Sequence, residues 1–121
     1  MKAYTDIEQS KKLAKILSIE SADMHYSTWV ISNGEFIVSP NYGNTIENMQ
    51  EDYGNQIIPC WSLAALLGVI PNFPALTQED VNKWEICVRD YNNDEYIEIT
   101  ADNPVNACVN MILKLKDLNL L

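Results

Sequence analysis

Residues 57–71 read IIPCWSLAALLGVIP and contain no charged side chain, although 21% of the residues in the chain are charged. Pro59 suits the first position of a helix, where its missing N–H is not needed, and Gly68 suits the residue that follows a helix end. A helix that spans a bilayer needs about 20 apolar residues, more than this run provides. The pattern therefore predicts a helix over residues 59–67 that is buried on every side, at the centre of the core.

The length and the cysteines limit the kind of protein. A chain of 121 residues with 47% hydrophobic content favours a single domain over residues 1–121. Cys60, Cys87 and Cys108 are an odd number of cysteines without a C-x-x-C pair, so we expect neither a disulfide framework nor a zinc motif. Reduced thiols and the lack of an apolar secretion signal at the N-terminus indicate a cytoplasmic protein.

The net charge of −9 is concentrated in the middle of the chain. Residues 1–20 carry four lysines and three acids, whereas residues 21–99 carry two basic residues and twelve acids. This charge opposes docking on nucleic-acid phosphates or on anionic membranes, so we expect neither as a partner. It permits a different role, in which an acidic surface mimics nucleic acid and occupies the basic groove of another protein.

A helix is predicted at each end of the chain. Thr5 and Glu8 fit a capping box, which indicates an amphipathic first helix of about three turns. Its lysines, at positions 11, 12 and 15, are interpreted as a solvated face. Asn103 as N-cap and Pro104 at the first helical position predict the last helix, whose narrow polar stripe indicates packing on both flanks.

Two β-hairpins are predicted between the helices. Residues 24–38 are rich in β-prone side chains around Asn33-Gly34, which is a strong signal of a type I′ turn. Residues 84–100 alternate between apolar and polar around a turn at residues 92–94.

Two segments are harder to interpret. Residues 41–56 allow a short helix capped by Thr45 and ended by Gly54, or equally a polar surface loop. Residues 71–76 are interpreted as an apolar connection, and residues 77–80 as one helical turn.

These elements predict an α+β fold in a single domain. We expect an antiparallel sheet of about four strands, made from the two hairpins, packed with three main helices. The middle helix, over residues 59–67, is the buried one.

Three segments together resemble an uncharacterised family of small proteins from gut anaerobic bacteria and their prophages. They are residues 2–24, 58–67 and 102–121, which is about half of the chain. The resemblance implies a bacterial cytoplasm and a prophage or mobile-element origin. It implies no activity, cofactor or site residue.

Cys60 and His25 form the sharpest candidate for a catalytic pair. A thiol at a helix N-terminus has a lowered pKa, and cysteine hydrolases place their nucleophile in that position. His25, the only histidine, would be the base. The alternative is a buried structural thiol and a packed or surface imidazole. The two interpretations differ in whether Cys60 lies in a cleft beside His25.

No other set of residues assembles a known chemistry. The acids at Glu47, Glu51 and Asp52, and at Asp90, Asp94 and Glu95, lack the spacing of a calcium-binding loop. The sequence contains neither of the glycine-rich phosphate-binding motifs G-x-x-x-x-G-K-S/T and G-x-G-x-x-G. We therefore predict no catalytic residue, no cofactor and no metal site.

The sequence favours a non-catalytic cytoplasmic module that binds another protein or a second copy of itself. If they are exposed, the aromatic residues Trp29, Tyr26, Tyr42 and Tyr53 are the expected contact groups. Two alternatives remain open: an acidic nucleic-acid mimic that inhibits a DNA- or RNA-binding protein, and a small cysteine-dependent hydrolase that uses Cys60 and His25.

Overall fold

The computed structural model describes residues 1–28, 35–54 and 57–121. The helices and strands are α1 (Ile7–Ala14), β1 (Met24–Thr28), β2 (Phe36–Pro40), α2 (Ile46–Tyr53), β3 (Ile57–Cys60), α3 (Leu63–Val69), β4 (Ala75–Asp80), β5 (Lys83–Asp90), β6 (Glu95–Ala101) and α4 (Pro104–Asp117), with a 3-10 turn at Ile19–Ser21. The chain divides into an N-terminal unit, Tyr4–Ala65, and a C-terminal unit, Met1–Ala3 with Leu66–Leu121. That residues 1–121 form a single domain stays a prediction.

The N-terminal unit is built on an antiparallel sheet with the strand order β2-β1-β3, and both α1 and α2 pack against β3. Tyr26 lies opposite Val38 on one side and opposite Ile58 on the other. Tyr26, Ile58 and Cys60 form a buried cluster on this face. Because successive side chains of a strand point to opposite faces, His25 and Ser27 lie on the other face.

The capping box of α1 begins one residue later than predicted. Asp6, not Thr5, is the N-cap, and it exchanges hydrogen bonds with Gln9. Thr5 is fully buried, and its Oγ1 is hydrogen-bonded to Ser10 Oγ (2.8 Å) and to the backbone N–H of Trp61 (3.1 Å). A side chain held in this way is not available to cap a helix.

The short-helix interpretation of residues 41–56 is confirmed for the part of it that the structure describes. Thr45 is the N-cap of α2, and its side chain accepts a hydrogen bond from the backbone N–H of Asn48 (3.1 Å). Gly54 follows the helix with a φ of 61°, a conformation that favours glycine.

The predicted helix over residues 59–67 is wrong at its start and in its burial. Residues up to Cys60 form β3, and α3 begins at Leu63, where Ser62 Oγ accepts from the backbone N–H of Ala65 (3.2 Å). Pro59 is tolerated because β3 is an edge strand of its sheet among the described residues. Within α3 only Leu66 is fully buried. The uncharged run therefore holds an edge strand and a half-buried helix.

The C-terminal unit contains a second antiparallel sheet with the strand order β4-β5-β6. The hairpin of β5 and β6 is confirmed, and Asp94 takes a φ of 53° in its turn. The helical turn predicted at residues 77–80 is wrong, because these residues belong to β4, in which Thr77, Gln78 and Asp80 pair with β5. β4 is mostly exposed and polar, so no alternation of apolar residues marks it as a strand.

α4 packs on β5 and β6 and is the main source of core residues in its unit. The predicted start is confirmed: Asn103 Oδ1 accepts from the backbone N–H of Asn106 (2.8 Å), and Pro104 opens the helix. Eight of its fourteen residues are buried, in agreement with packing on both flanks. Ile86 and Val88 of β5 are also buried.

The α+β class with antiparallel pairing is confirmed, but the arrangement differs in detail. The described residues form two three-stranded sheets and four α-helices, where one sheet of about four strands and three helices were predicted. β1 and β2 pair as the first hairpin predicts, whereas the turn at Asn33-Gly34 lies outside the described residues. Within the described ranges, no helix is both long and apolar enough to cross a membrane.

Candidate functional site

Cys60 is enclosed at the end of β3 and does not stand at a helix N-terminus. It is 0% exposed, and its Sγ lies 3.5 Å from the backbone carbonyl oxygen of Thr5 and 3.6 Å from Thr5 Oγ1. Burial raises the pKa of the Cys60 thiol, only partly offset by hydrogen bonds from Thr5, Ser10 and Tyr26. A nucleophilic cysteine needs the opposite shift, toward the thiolate.

His25 is not brought to Cys60. Met24 lies opposite Cys60 in the register of β1 and β3, so His25, the next residue, projects from the other face of the sheet. There its Nδ1 is hydrogen-bonded to Asn41 Oδ1 (2.9 Å). The sheet separates the thiol from the imidazole, and the geometry therefore does not assemble the candidate pair.

The predicted aromatic contact residues differ in exposure. Tyr26 is buried, and its hydroxyl donates to the backbone carbonyl oxygen of Thr5 (2.6 Å); burial also raises its pKa. Tyr26 therefore lacks the exposure on which its role as a contact residue depends. Tyr42 is 83% exposed, as a contact residue requires. Trp29 and the side chain of Tyr53 lie outside the described residues.

The acids of the second hairpin turn have structural partners. Asp90 is buried, and its carboxylate accepts from the backbone N–H of Asn92 (3.0 Å) and from Asn93 Nδ2 (2.8 Å). Asp94 forms an ion pair with Arg89. Among the residues that the structure describes, no group of three or more His, Cys, Asp or Glu side chains has the arrangement of a metal site.

A second acidic group, on the second sheet, was missed. Glu85 of β5 interacts with Glu79 of β4 and with Glu98 of β6. The hydrogen bond with Glu79, together with burial and the charges of Glu79 and Glu98, raises the pKa of Glu85 to about 7. Strand alternation places Glu98 on the face of Glu85, whereas Glu79 lies at the irregularity between Gln78 and Asp80, in a strand that the sequence does not mark.

A groove in the N-terminal unit, next to the end of α1, has a geometry suited to binding. It has a volume of about 480 Å³ and is lined by apolar groups of α1, β2 and β3 and by two lysines. The lining residues are Lys11, Ala14, Lys15, Phe36, Ile57, Ile58 and Pro59. Phe36 is 38% exposed, and its ring meets that of Tyr26 edge-on, with centroids 6.5 Å apart.

The two groove lysines hold their positive charges at the same edge. Lys11 and Lys15 are four residues apart, so they lie on one side of the helical turn that ends α1. Both are exposed, and neither forms an ion pair within the described chain. The sequence predicted a solvated lysine face and missed the groove, because the apolar wall comes from β2 and β3, which are distant in the sequence.

No family model, no curated protein and no solved structure matches the chain. The resemblance to small proteins of gut anaerobes and their prophages therefore stays a prediction.

Proposed function

We propose that the protein is a non-catalytic binding module whose groove takes a segment of a partner protein that carries apolar side chains and a carboxylate. The observation that carries this proposal is the pairing of an apolar wall with Lys11 and Lys15 at its edge. A partner of this chemistry buries apolar area against Phe36 and Ile58 and places an acid beside the lysines.

Both parts of the groove contribute to recognition, in different ways. Apolar area removed from water supplies affinity at about 25 cal/mol per Å² before the costs of association. Lysine–carboxylate contacts at an exposed edge add little affinity and mainly select the partner and its orientation. The chain carries a net charge of −9, but its repulsion of an acidic segment is screened beyond about 8 Å at physiological ionic strength.

The setting we propose is the bacterial cytoplasm, with a prophage or mobile-element origin. Cys60, Cys87 and Cys108 are all free thiols, which supports a reducing compartment.

Selection from a random peptide library displayed on phage tests the proposal without a known partner. We expect wild-type protein to enrich peptides in which Asp or Glu adjoins Leu, Ile or Phe. The double variant Lys11→Glu/Lys15→Glu should lose these peptides. Lys12→Glu is the matched control, because Lys12 is exposed on the same helix but is not part of the groove lining.

Enrichment of basic peptides, or acidic peptides that bind the double variant as well as the wild type, would refute the proposal. A library without any enriched sequence would refute it too. Enrichment of sequences that match this chain would point instead to self-association.

Acidic mimicry of nucleic acid is the second candidate, supported by the interactions of Glu85 with Glu79 and Glu98 on the second sheet. The raised pKa of Glu85 weakens it, because a partly protonated carboxyl is a poor substitute for phosphate. Mimicry predicts that the protein displaces DNA from a basic DNA-binding protein at moderate salt, and that Glu79→Gln/Glu98→Gln abolishes this displacement.

The hydrolase alternative has no supporting geometry, since Cys60 and His25 lie on opposite faces of the sheet.

A further inference from the structure

A second cavity, of about 280 Å³, lies on the face of the N-terminal sheet that carries His25, opposite the face of the Cys60 cluster. Its polar lining residues are His25, Ser27, Ser39, Asn41, Tyr42 and Asn44. This volume falls just below the range of about 300–1,000 Å³ that drug-sized ligands occupy. The cavity is therefore matched to a small molecule with a single ring.

Ser27 gives this cavity a polar group without a partner. Ser27 is only 3% exposed, and its buried Oγ makes no hydrogen bond within the described chain. An unpaired buried hydroxyl is destabilising, and proteins rarely retain one without a reason. A ligand hydroxyl in the cavity would satisfy it.

His25 supplies an acceptor beside this hydroxyl. Asn41 Nδ2 donates to the backbone carbonyl oxygen of Ala22 (2.9 Å), which orients Asn41 Oδ1 toward His25 Nδ1 (2.9 Å). Nδ1 must then carry the proton, and Nε2 of the neutral ring is an acceptor. Nε2 makes no hydrogen bond within the residues that the structure describes, so it is open to a donor from a ligand.

The rest of the lining indicates an uncharged ligand with apolar C–H faces. The cavity lining contains no Asp, Glu, Lys or Arg within the described ranges, and burying an unpaired charge there would be costly. Met49 and Ile57 add apolar wall. Tyr42 lines the cavity while 83% exposed, so it stands at the rim, and its φ of 52° holds a bulky residue in a strained conformation.

We propose that this cavity binds a small uncharged polyol of the size of one sugar ring. Each hydroxyl of such a molecule both donates and accepts, which matches the Ser27 hydroxyl and the His25 acceptor together. The ring of Tyr42 offers a surface for the C–H face of the sugar. This site is separate from the proposed peptide groove, because the two cavities share Ile57 alone among their lining residues within the described chain.

The test is an NMR titration of the full chain with free pentoses and hexoses, compared with nucleosides and with sugar phosphates. We expect a neutral sugar to shift the amide signals of His25, Ser27 and Asn41. Ser27→Ala should weaken this binding about tenfold, the effect of one lost hydrogen bond in a closed site. Thr77→Ala, which removes an exposed hydroxyl of β4, is the control and should leave binding unchanged.

Thermal melts of the ligand-free proteins complete the test. We expect Ser27→Ala to melt at a higher temperature than the wild type, because the substitution removes an unsatisfied buried hydroxyl. A lower melting temperature would show that Ser27 has a structural partner and would overturn the proposal. The proposal would also be overturned if no neutral sugar shifts these amide signals, or if only nucleosides or sugar phosphates shift them.

Discussion

At the scale of single residues, burial decides what the reactive side chains of this chain can do. Cys60 is enclosed by Thr5 and the hydroxyl network of Ser10 and Tyr26, which leaves the thiol no access to a substrate. Burial raises the pKa of Cys108 to about 12 for the same physical reason. Cys87 is only partly buried. The three thiols therefore differ in accessibility more than in chemistry.

Alkylation in the native state tests this difference. Iodoacetamide should label Cys87 in the folded protein and reach Cys60 and Cys108 only after denaturation, because both are 0% exposed. Mass spectrometry of the digested protein locates the label. Labelling of native Cys60 as fast as of Cys87 would contradict its enclosure and restore it as a candidate nucleophile.

The pKa of Glu85 predicts a pH-dependent effect on stability. In the folded protein the pKa of Glu85 is raised to about 7 from an ordinary value of 4.5, so the folded state binds this proton more tightly. The associated stabilisation is complete below the ordinary pKa and is lost as the pH rises through about 7. Glu85→Gln mimics the protonated form. It should leave the melting temperature unchanged at pH 4 and raise it at pH 8.

Glu51→Gln is the control for this prediction, since Glu51 is exposed on α2 in the other unit. A gain from Glu85→Gln that is equal at both pH values would contradict the link to titration.

At the scale of elements, the sequence is informative where local chemistry decides the structure. Asn103 and Pro104 mark the start of α4 because both act locally. The side chain of Asn103 caps the first turn, and the ring of Pro104 fixes its own φ at a helical value. β3 could not be predicted this way, since IIPC becomes a strand by pairing with β1. β4 likewise owes its conformation to β5, against its polar composition. The groove shares this limitation, because its wall joins segments from α1, β2 and β3.

The cap of α4 can be tested directly. Asn103→Ala removes the acceptor for the backbone N–H of Asn106 and should lower the free energy of unfolding by about 1 kcal/mol. Asn110→Ala, at an exposed position inside the same helix, should leave stability unchanged or raise it slightly. Denaturant unfolding curves measure both. Equal effects of the two substitutions would show that the cap contributes nothing specific.

At the scale of the whole molecule, the uncharged run at residues 57–71 contributes to both compact units, since their division falls within α3. The sequence predicted an apolar helix here, but it placed the start at residue 59 instead of Leu63 and overestimated the burial, because composition gives no measure of how many sides are covered. Leu66 is fully buried, whereas Ala64 and Gly68 are exposed. The run is buried throughout residues 57–61 and after that only at Leu66 and Ile70.

Leu66→Asp should therefore unfold the protein. An unpaired buried charge costs several kcal/mol, against a total stability of about 5–15 kcal/mol for a typical domain. Ala64→Asp places the same charge at an exposed position in the first turn of α3, where the helix dipole favours it, and should melt close to the wild type. Circular dichroism melts distinguish the two. A folded Leu66→Asp variant with unchanged melting temperature would contradict the importance of this position.

The central functional claim is that the groove binds a peptide segment that carries apolar side chains and a carboxylate. The affinity of the most enriched acidic peptide tests this claim directly. Fluorescence anisotropy would compare the wild type, Lys11→Glu/Lys15→Glu and Lys12→Glu at low and high salt. We predict that the double variant binds the peptide about tenfold more weakly than the wild type at low salt, and that the affinity of Lys12→Glu stays within about twofold of the wild type. High salt should reduce the difference in affinity between the double variant and the wild type. The same affinity for all three proteins at low salt would contradict the role of Lys11 and Lys15, and with it the groove as the binding site.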